Sequence, residues 1–404
     1  MIRLLHSSDW HLGRHLYGRS LIEDQEFALA RLLDLIDERK PHALLIAGDV
    51  FDRSVPPEEA VMLLNRFLTA VIRERNLPVF LIPGNHDSKE RLGFAAELLR
   101  DRNLVIFAKV ADALKPVPLT SDGGAKIWIH GIPYVEPMEI GAYLGEESLR
   151  THDEALKALT RRMLENQVSR EPHVLLCHAF ALGGEISESE KEISIGGSSQ
   201  VDVRAFDGFA YTALGHLHKP QNVGSERVRY SGSLLAYSKS ETIAAAPETL
   251  SASGARATGK SVTEIRLDTD GGLELETFEL PVLRRLRTIE GPLAELLERG
   301  REDQFRDDYI IAGFTDLGAQ IDTFAKLRAV YPNLLHVSRV GGFLPSELPA
   351  ARARAEERSE RNDLDLFAEF FRDATGTELS DEERAALIET LAESAKGLAR
   401  EEAG

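Results

Sequence analysis

Gly84-Asn85-His86-Asp87 follows directly on Pro78-Val79-Phe80-Leu81-Ile82-Pro83, and this junction decides the fold. An unbroken apolar run between prolines reads as a short strand buried on both faces, and the glycine after it permits a sharp exit. What comes out of the exit is an amide, an imidazole and a carboxylate. The same pattern is written four more times. Ala43-Leu44-Leu45-Ile46-Ala47 leads to Gly48-Asp49, and Ile2-Arg3-Leu4-Leu5 leads to Asp9-Trp10-His11. Val174-Leu175-Leu176-Cys177 leads to His178, and Tyr211-Thr212-Ala213-Leu214-Gly215 leads to His216-Leu217-His218. Every candidate ligand therefore stands at the carboxyl end of a core strand, the edge on which open α/β sheets build their sites. The fold class read from this pattern is α/β.

The donors are carboxylate, imidazole and amide oxygen, which suit Mn, Fe or Zn, whereas a structural zinc site recruits thiolates. Cys177 is the only cysteine, and inside a strand it reads as a small apolar residue. Asp9 and His11 are two apart, so on an extended strand end both point to one face and grip one ion. A pair of divalent ions can share one carboxylate and clamp the attacking and leaving oxygens of a phosphoryl transfer. Asp49 is the expected bridge.

The order Asp-x-His, Gly-Asp, Gly-Asn-His-Asp, His, Gly-His-x-His resembles the calcineurin-like metallophosphoesterase superfamily, and within it the nuclease subunits of bacterial DNA-break repair complexes. The stretches Ser8–Gly13, Gly48–Asp52, Tyr230–Ser233 and Asp365–Phe371 carry the likeness beyond the ligands. The resemblance implies a layered α/β sandwich with a smaller α/β cap and a C-terminal helical tail. It implies two divalent ions, Mn2+ being the expected species: Asp9, His11, Asp49 and His218 around one, Asp49, Asn85, His178 and His216 around the other. His86 would face the phosphate and assist the leaving oxygen, with the Asp52 carboxylate as its partner. Arg14, Arg53, Lys89, Arg91 and Lys219 adjoin the motifs and are candidate phosphate contacts, although a lone basic residue on a loop is equally explained by solvation. His6, His42, His130, His173 and His336 read as structural. The implied activity is that of a DNA nuclease, exonuclease at duplex ends and endonuclease on single strands or hairpins, working with an SMC-like ATPase and as a homodimer.

Composition bounds these expectations. The chain has 404 residues, too many for one ordinary core, so two or three units are expected. No apolar run reaches membrane-spanning length and no signal peptide precedes the first strand, so a cytoplasmic protein is expected. A net charge of −18 argues against nucleic acid as a whole-chain property. Backbone binding needs only local positive charge, which metal ions add at the site. From Ser346 to Gly404 there are 16 acidic and 8 basic residues, 8 − 16 = −8, so nearly half the excess lies in the tail.

The expected units are a phosphoesterase domain over 1–275 with a flexible loop near 243–259, a cap over 281–340, a linker over 341–362 and a helical module over 363–404. In the cap, Val282–Ile289, Tyr309–Thr315 and Leu334–Val340 read as strands, with helices at Pro292–Arg299 and Gly318–Ala329. In the tail, Leu364, Phe367, Phe370 and Phe371 make an apolar stripe, and Ser380 with Glu383 signals a helix start. The stripe is the expected docking surface for the ATPase partner, which would bind the ATP, since this chain has no Gly-rich Lys-Ser/Thr phosphate loop. A second stripe, Val61, Leu64, Leu68 and Val71, belongs to a helix expected to cover its sheet or join a dimer. Two other readings fit part of the pattern. Asp49-Val50-Phe51-Asp52-Arg53 resembles a phosphatase run, but Asp87 follows Gly-Asn-His and Ser54 stands where glycine is usual there. A catalytically silent DNA-tethering scaffold would need none of the ligands.

Overall fold

The computed structural model describes residues 1–167, 169–190, 199–242, 259–316, 322–340, 380 and 384. The apolar runs fold as strands, and the five that carry candidate ligands are almost entirely buried: β1 (Ile2–Ser7), β2 (Ala43–Ala47), β3 (Val79–Ile82), β7 (His173–His178) and β8 (Tyr211–Gly215). They divide between two six-stranded sheets. With β4 (Leu104–Ile106), β11 (Ser261–Leu267) and β12 (Leu273–Glu279), the first has the order β12-β11-β1-β2-β3-β4. With β5 (Val117–Thr120), β6 (Lys126–Ile132), β9 (Gln221–Val223) and β10 (Ser225–Tyr230), the second has the order β9-β10-β8-β7-β6-β5. All five ligand strands pair in parallel with their sheet neighbours, apart from the antiparallel β1–β11 ladder, so within each sheet their carboxyl ends share one edge.

The two sheets face each other. Leu4, Leu45 and Phe80 from the first pack with Ile129, Val174, Leu176 and Ala213 from the second in one buried cluster. Each of these side chains larger than alanine stabilises the sandwich by about 1.5–3 kcal/mol through lost contact with water. His6 bridges the layers: one ring nitrogen meets the Tyr211 hydroxyl at 3.0 Å and the other the Leu214 carbonyl at 3.1 Å. Helices α1 (Ile22–Arg39) and α2 (Glu58–Thr69) cover the outer face of the first sheet, and α3 (Pro137–Leu144) and α4 (His152–Glu165) that of the second. A reciprocal capping box starts α4, the Thr151 hydroxyl accepting from the Glu154 amide at 3.2 Å and the Glu154 carboxylate from the Thr151 amide at 3.1 Å. On α2, Ala60, Leu63, Leu64 and Phe67 point inward, while Val61 is 46% exposed, so the expected stripe is rotated away from that residue.

The cap-sized segment forms β13 (Leu286–Gly291), α5 (Leu293–Glu302), β14 (Tyr309–Phe314), α6 (Thr323–Val330) and β15 (Leu334–Arg339), with sheet order β13-β14-β15. The first strand starts later than expected, because Leu280 and Val282 pack against the core of the first sheet instead. Residues Met1–Ser338 form one compact unit, so the change near 275–281 is a change of sheet and not a break in packing. The joint is polar and buried: the Asp24 carboxylate on α1 accepts from Arg284 at 2.8 Å and from the Tyr309 hydroxyl at 2.7 Å. Arg19 donates to Asn333, and Tyr17 stacks on His336 at 5.2 Å. The second unit is Arg339–Gly404, where the Arg384 amide donates to the Ser380 carbonyl at 2.9 Å. The linker, most of the loop at 243–259 and the stripe Leu364, Phe367, Phe370 and Phe371 lie outside the described residues.

Candidate metal centre

The strand edges of the two sheets meet at Gly48 and Gly215. A Cβ on Gly215 would lie 1.9 Å from the Ala47 carbonyl oxygen, and one on Gly48 would lie 2.3 Å from Nδ1 of His178. Only glycine lets the sheets approach this closely, and the approach lets His178 Nδ1 donate to the Ala47 carbonyl at 2.9 Å. That bond assigns the proton to Nδ1 and leaves Nε2 for the site.

Asp9 and His11 do not continue β1 as extended backbone, as the spacing suggested. Their φ angles are 53° and 45°, and Asp49 and His216 are likewise left-handed at 49° and 108°. The reason is a second line of pairing past the strand ends: Asp9 N donates to Gly48 O at 3.0 Å, His11 N to Asp49 O at 2.9 Å and Leu12 N to Val50 O at 2.9 Å. Gln25, buried on α1, holds the turn by accepting from the Gly13 amide at 3.0 Å and donating to the His11 carbonyl at 2.7 Å. Left-handed backbone at a non-glycine residue costs about 1–3 kcal/mol and persists where the surroundings over-determine it.

The seven expected ligands converge into two adjoining donor sets. Asp9, His11 and His218 offer atoms all within 4.8 Å of one another, as do Asp9, Asp49 and His178. Nε2 of His11 faces Nε2 of His218 at 3.0 Å, and Oδ1 of Asn85 faces Nε2 of His178 at 3.0 Å and Nδ1 of His216 at 3.1 Å. Between the sets stands Asp49, its Oδ2 3.4 Å from His178 Nε2 and 3.7 Å from His11 Nε2. Carboxylate, imidazole and amide-oxygen donors gathered this closely in a buried place form a donor set that fits divalent metal ions.

Charge in the cluster is strongly coupled. Burial lifts the Asp9 carboxyl to about 6 and drops His216 to about 3, the latter helped by His178. Burial would also raise Asp49, but His178, His11 and His86 outweigh it and hold that carboxyl well below its usual range. Against its own burial, His178 is raised to about 9 by Asp49.

His86 sits half-buried at the mouth, its ring 4.7 Å from that of His11, and its amide donates to Asp49 Oδ1 at 2.9 Å. Its expected carboxylate partner is not there. Nδ1 of His86 meets the main-chain oxygen of Asp52 at 2.9 Å, while the Asp52 carboxylate turns to Arg14 at 2.9 Å and lies 3.7 Å from Nδ1 of His11. A guanidinium at hydrogen-bond distance is the stronger claim on that carboxylate. Arg14 is thereby engaged as well. Lys89 pairs with Glu139 and Lys219 with Glu185, so neither points freely at a phosphate, while Arg53 is 59% exposed and Arg91 is exposed.

Sequence reasoning missed the supports. Asp87 accepts from the amides of Val50 at 3.0 Å, Phe51 at 2.8 Å and Gly84 at 2.9 Å, tying two ligand loops together. Burial and the charge of Asp49 push its carboxyl up to about 7, against the pull of those three donors. Ser8 donates to Asp9 at 2.5 Å, and Glu190, Glu241 and Lys260 gather behind His218. No spacing rule links residue 190 or 241 to residue 218. The one available signal was the carboxylate in the polar cluster Ser238-Lys239-Ser240-Glu241.

Residues 2–220 match the calcineurin-like phosphoesterase family, and residues 282–375 match the family described as type 5 capsule protein repressor C-terminal domain. The chain is 29% identical over 340 residues to the SbcD subunit of the SbcCD nuclease of Staphylococcus epidermidis, covering 84% of this chain and 86% of the relative. Among solved structures it is similar to the TT1561 protein of Thermus thermophilus, at 16% identity and a TM-score of 0.38 over 68% of this chain and 98% of that one. It is also similar to the calcineurin-like phosphoesterase YfkN of Bacillus subtilis, at 13% identity and a TM-score of 0.38 over 70% of this chain and 92% of that one. No helix among the described residues is long and apolar enough to cross a membrane.

Proposed function

The chain belongs to the calcineurin-like phosphoesterase family and is a metal-dependent phosphodiester hydrolase, and from that premise we propose that it is the nuclease subunit of an SbcCD-type DNA-break repair complex. The observation that carries the chemistry is the position of Asp49 Oδ2 between His178 and His11, at 3.4 and 3.7 Å, at the seam of two donor sets. Asp9, His11, Asp49 and His218 would hold one divalent ion, and Asp49, Asn85, His178 and His216 the other, with Mn2+ the proposed species. Two such ions supply Lewis acidity and charge for an in-line displacement at phosphorus.

The chain's own residues do the rest. Asp49, low in pKa and bonded to the His86 amide, anchors the mouth of the site. His178 is held in register by the Ala47 carbonyl. With Nδ1 of His86 committed to the Asp52 carbonyl, its Nε2 is left for the substrate, where the imidazolium can give its proton to the departing oxygen. The Asp52 carboxylate and Arg14 act behind His11 as a charged pair, and Asp52 reaches His86 through its main-chain carbonyl alone.

DNA as substrate and an SbcC-type SMC-like ATPase as partner rest on the likeness to the S. epidermidis relative over most of both chains, and on the family match that extends through residues 282–375. In this reading the cap orients DNA and the segment after residue 363 docks on the ATPase through Leu364, Phe367, Phe370 and Phe371. Exposed Val61, Met62, Phe94 and Leu98 support a homodimer, and a monomer by light scattering at micromolar concentration would refute that part. Incubation with Mn2+ and end-labelled duplex, hairpin DNA and a phosphomonoester tests the activity. Cleavage of DNA is expected. Turnover of the monoester alone would make it a phosphatase. His86→Ala is expected to retain both ions and lose cleavage, and cutting at the parental rate would remove His86 from the mechanism.

A further inference from the structure

Behind His218, on the side away from the other candidate ligands, lies a buried charged cluster that the reaction chemistry does not use directly. Glu190, Glu241 and Lys260 are 3%, 5% and 4–5% exposed, values usual for leucine and rare for charged side chains. Their contacts are directional. Nδ1 of His218 lies 3.3 Å from Oε1 of Glu190 and 3.5 Å from Oε1 of Glu241, while Nε2 of the same ring faces His11. Glu190 also accepts from the His218 amide at 2.8 Å, so it holds the backbone and the ring of one residue together. Glu241 accepts from the Ser238 hydroxyl at 2.8 Å and from Lys260 at 2.5 Å. The Lys260 ammonium donates in turn to the His218 carbonyl at 2.9 Å and the Ser233 hydroxyl at 2.8 Å. Three charged groups from three separate segments thus gather behind one histidine, the two glutamates at its ring and the lysine at its main-chain carbonyl.

We propose that Glu241, fixed by Lys260 and assisted by Glu190, is a positioning residue that holds the His218 proton on Nδ1 and keeps Nε2 as a metal donor. The inference rests on the reading of His218 as a ligand. An imidazole whose second nitrogen meets a carboxylate is locked in tautomer and orientation and becomes a better donor. Among the described residues His178 meets a main-chain carbonyl in that place, so the two ion sites differ in the strength of this support. The ion near Asp9, His11 and His218 is the one that depends on the glutamates.

The full-length chain, stripped with chelator, is titrated with Mn2+ by calorimetry. The parent is expected to take two ions, and Glu241→Gln to weaken one by about ten- to hundredfold while the other stays within about twofold. A variant that matches a two-ion parent overturns the inference alone. A parent that binds no Mn2+ overturns the metal centre and the inference with it. Equal weakening at both ions, with a lower melting temperature of the metal-free chain, would mark a merely structural role and also overturn it. Long-range proton–nitrogen correlation on the Zn2+-loaded parent needs no substitution: a proton on Nδ1 of His218 is expected, and one on Nε2 refutes the proposal.

Discussion

Asp87 closes the Gly-Asn-His-Asp run, yet its side chain points away from the reaction and into two loops. It accepts the amides of Val50, Phe51 and Gly84 at 3.0, 2.8 and 2.9 Å, and so ties the loop bearing Asp49 to the loop bearing Asn85 and His86. Asp87→Ala leaves three amides without acceptors. At about 1–3 kcal/mol for each buried donor, and with partial relief from water at a half-buried site, a loss of about 3–6 kcal/mol is expected. Asp87→Asn keeps one oxygen. Placed where Oδ2 serves Val50 and Gly84, it turns an NH2 group on the Phe51 amide, so one bond is lost and the cost falls to about 1–3 kcal/mol. Urea unfolding followed by tryptophan fluorescence reads this directly, because Trp10 is fully buried beside the same loops. Alanine is expected to be worse than asparagine, with unchanged slope, and both to weaken Mn2+ uptake. An alanine variant within about 1 kcal/mol of the parent would refute the idea that these three bonds hold the loops.

Gly215→Ala places a methyl 1.9 Å from the Ala47 oxygen, so the sheets must part at the site; a loss above about 3 kcal/mol and of Mn2+ uptake is expected, against a neutral Gly123→Ala with 3.9 Å of room. Burial depresses His130 to about 4 and His6 to about 3, so both fold neutral. Their stability is complete above the unfolded value near 6.5 and drains away as pH falls through the window down to 4 and 3, about 2 kcal/mol each at pH 5. In denaturant titrations from pH 7 to 5, His130→Gln is expected to lose about 2 kcal/mol less than the parent if the variant folds. Asp24→Ala takes the buried acceptor from Tyr309 and leaves Arg284 to Glu23, and a loss of about 1–3 kcal/mol with earlier proteolytic release of residues beyond 281 is expected.

The sandwich was legible because burial on both faces leaves a mark that local sequence carries: strands without polar alternation, cut by glycine or proline. The small sheet was legible in type and order for the same reason. Its edges were not, since whether Val282 joins a strand or packs on the first sheet is decided by a cluster that gathers side chains from Leu5 to Leu335. Boundaries are set by tertiary packing and not by propensity.

At the site the limit has another physical cause. Identity of ligands is written in residue types, and those seven side chains do converge. Orientation is written in backbone strain and in second partners, which residue types do not encode. Extended geometry seemed enough to aim Asp9 and His11 together, yet the chain aims them through left-handed turns held by Gln25. The family resemblance implies the Asp52 carboxylate as partner of His86, and a resemblance in motif does not carry the fact that Arg14 reaches the carboxylate first and leaves the carbonyl for His86. Glu241 stands 23 residues beyond the histidine it faces. Each error concerns which group approaches a ligand from behind, and a group behind a ligand is recruited from whatever segment the fold brings there. Motifs therefore report the face of a site that meets substrate, while the face that gives each ligand its tautomer and charge has to be read from the folded chain.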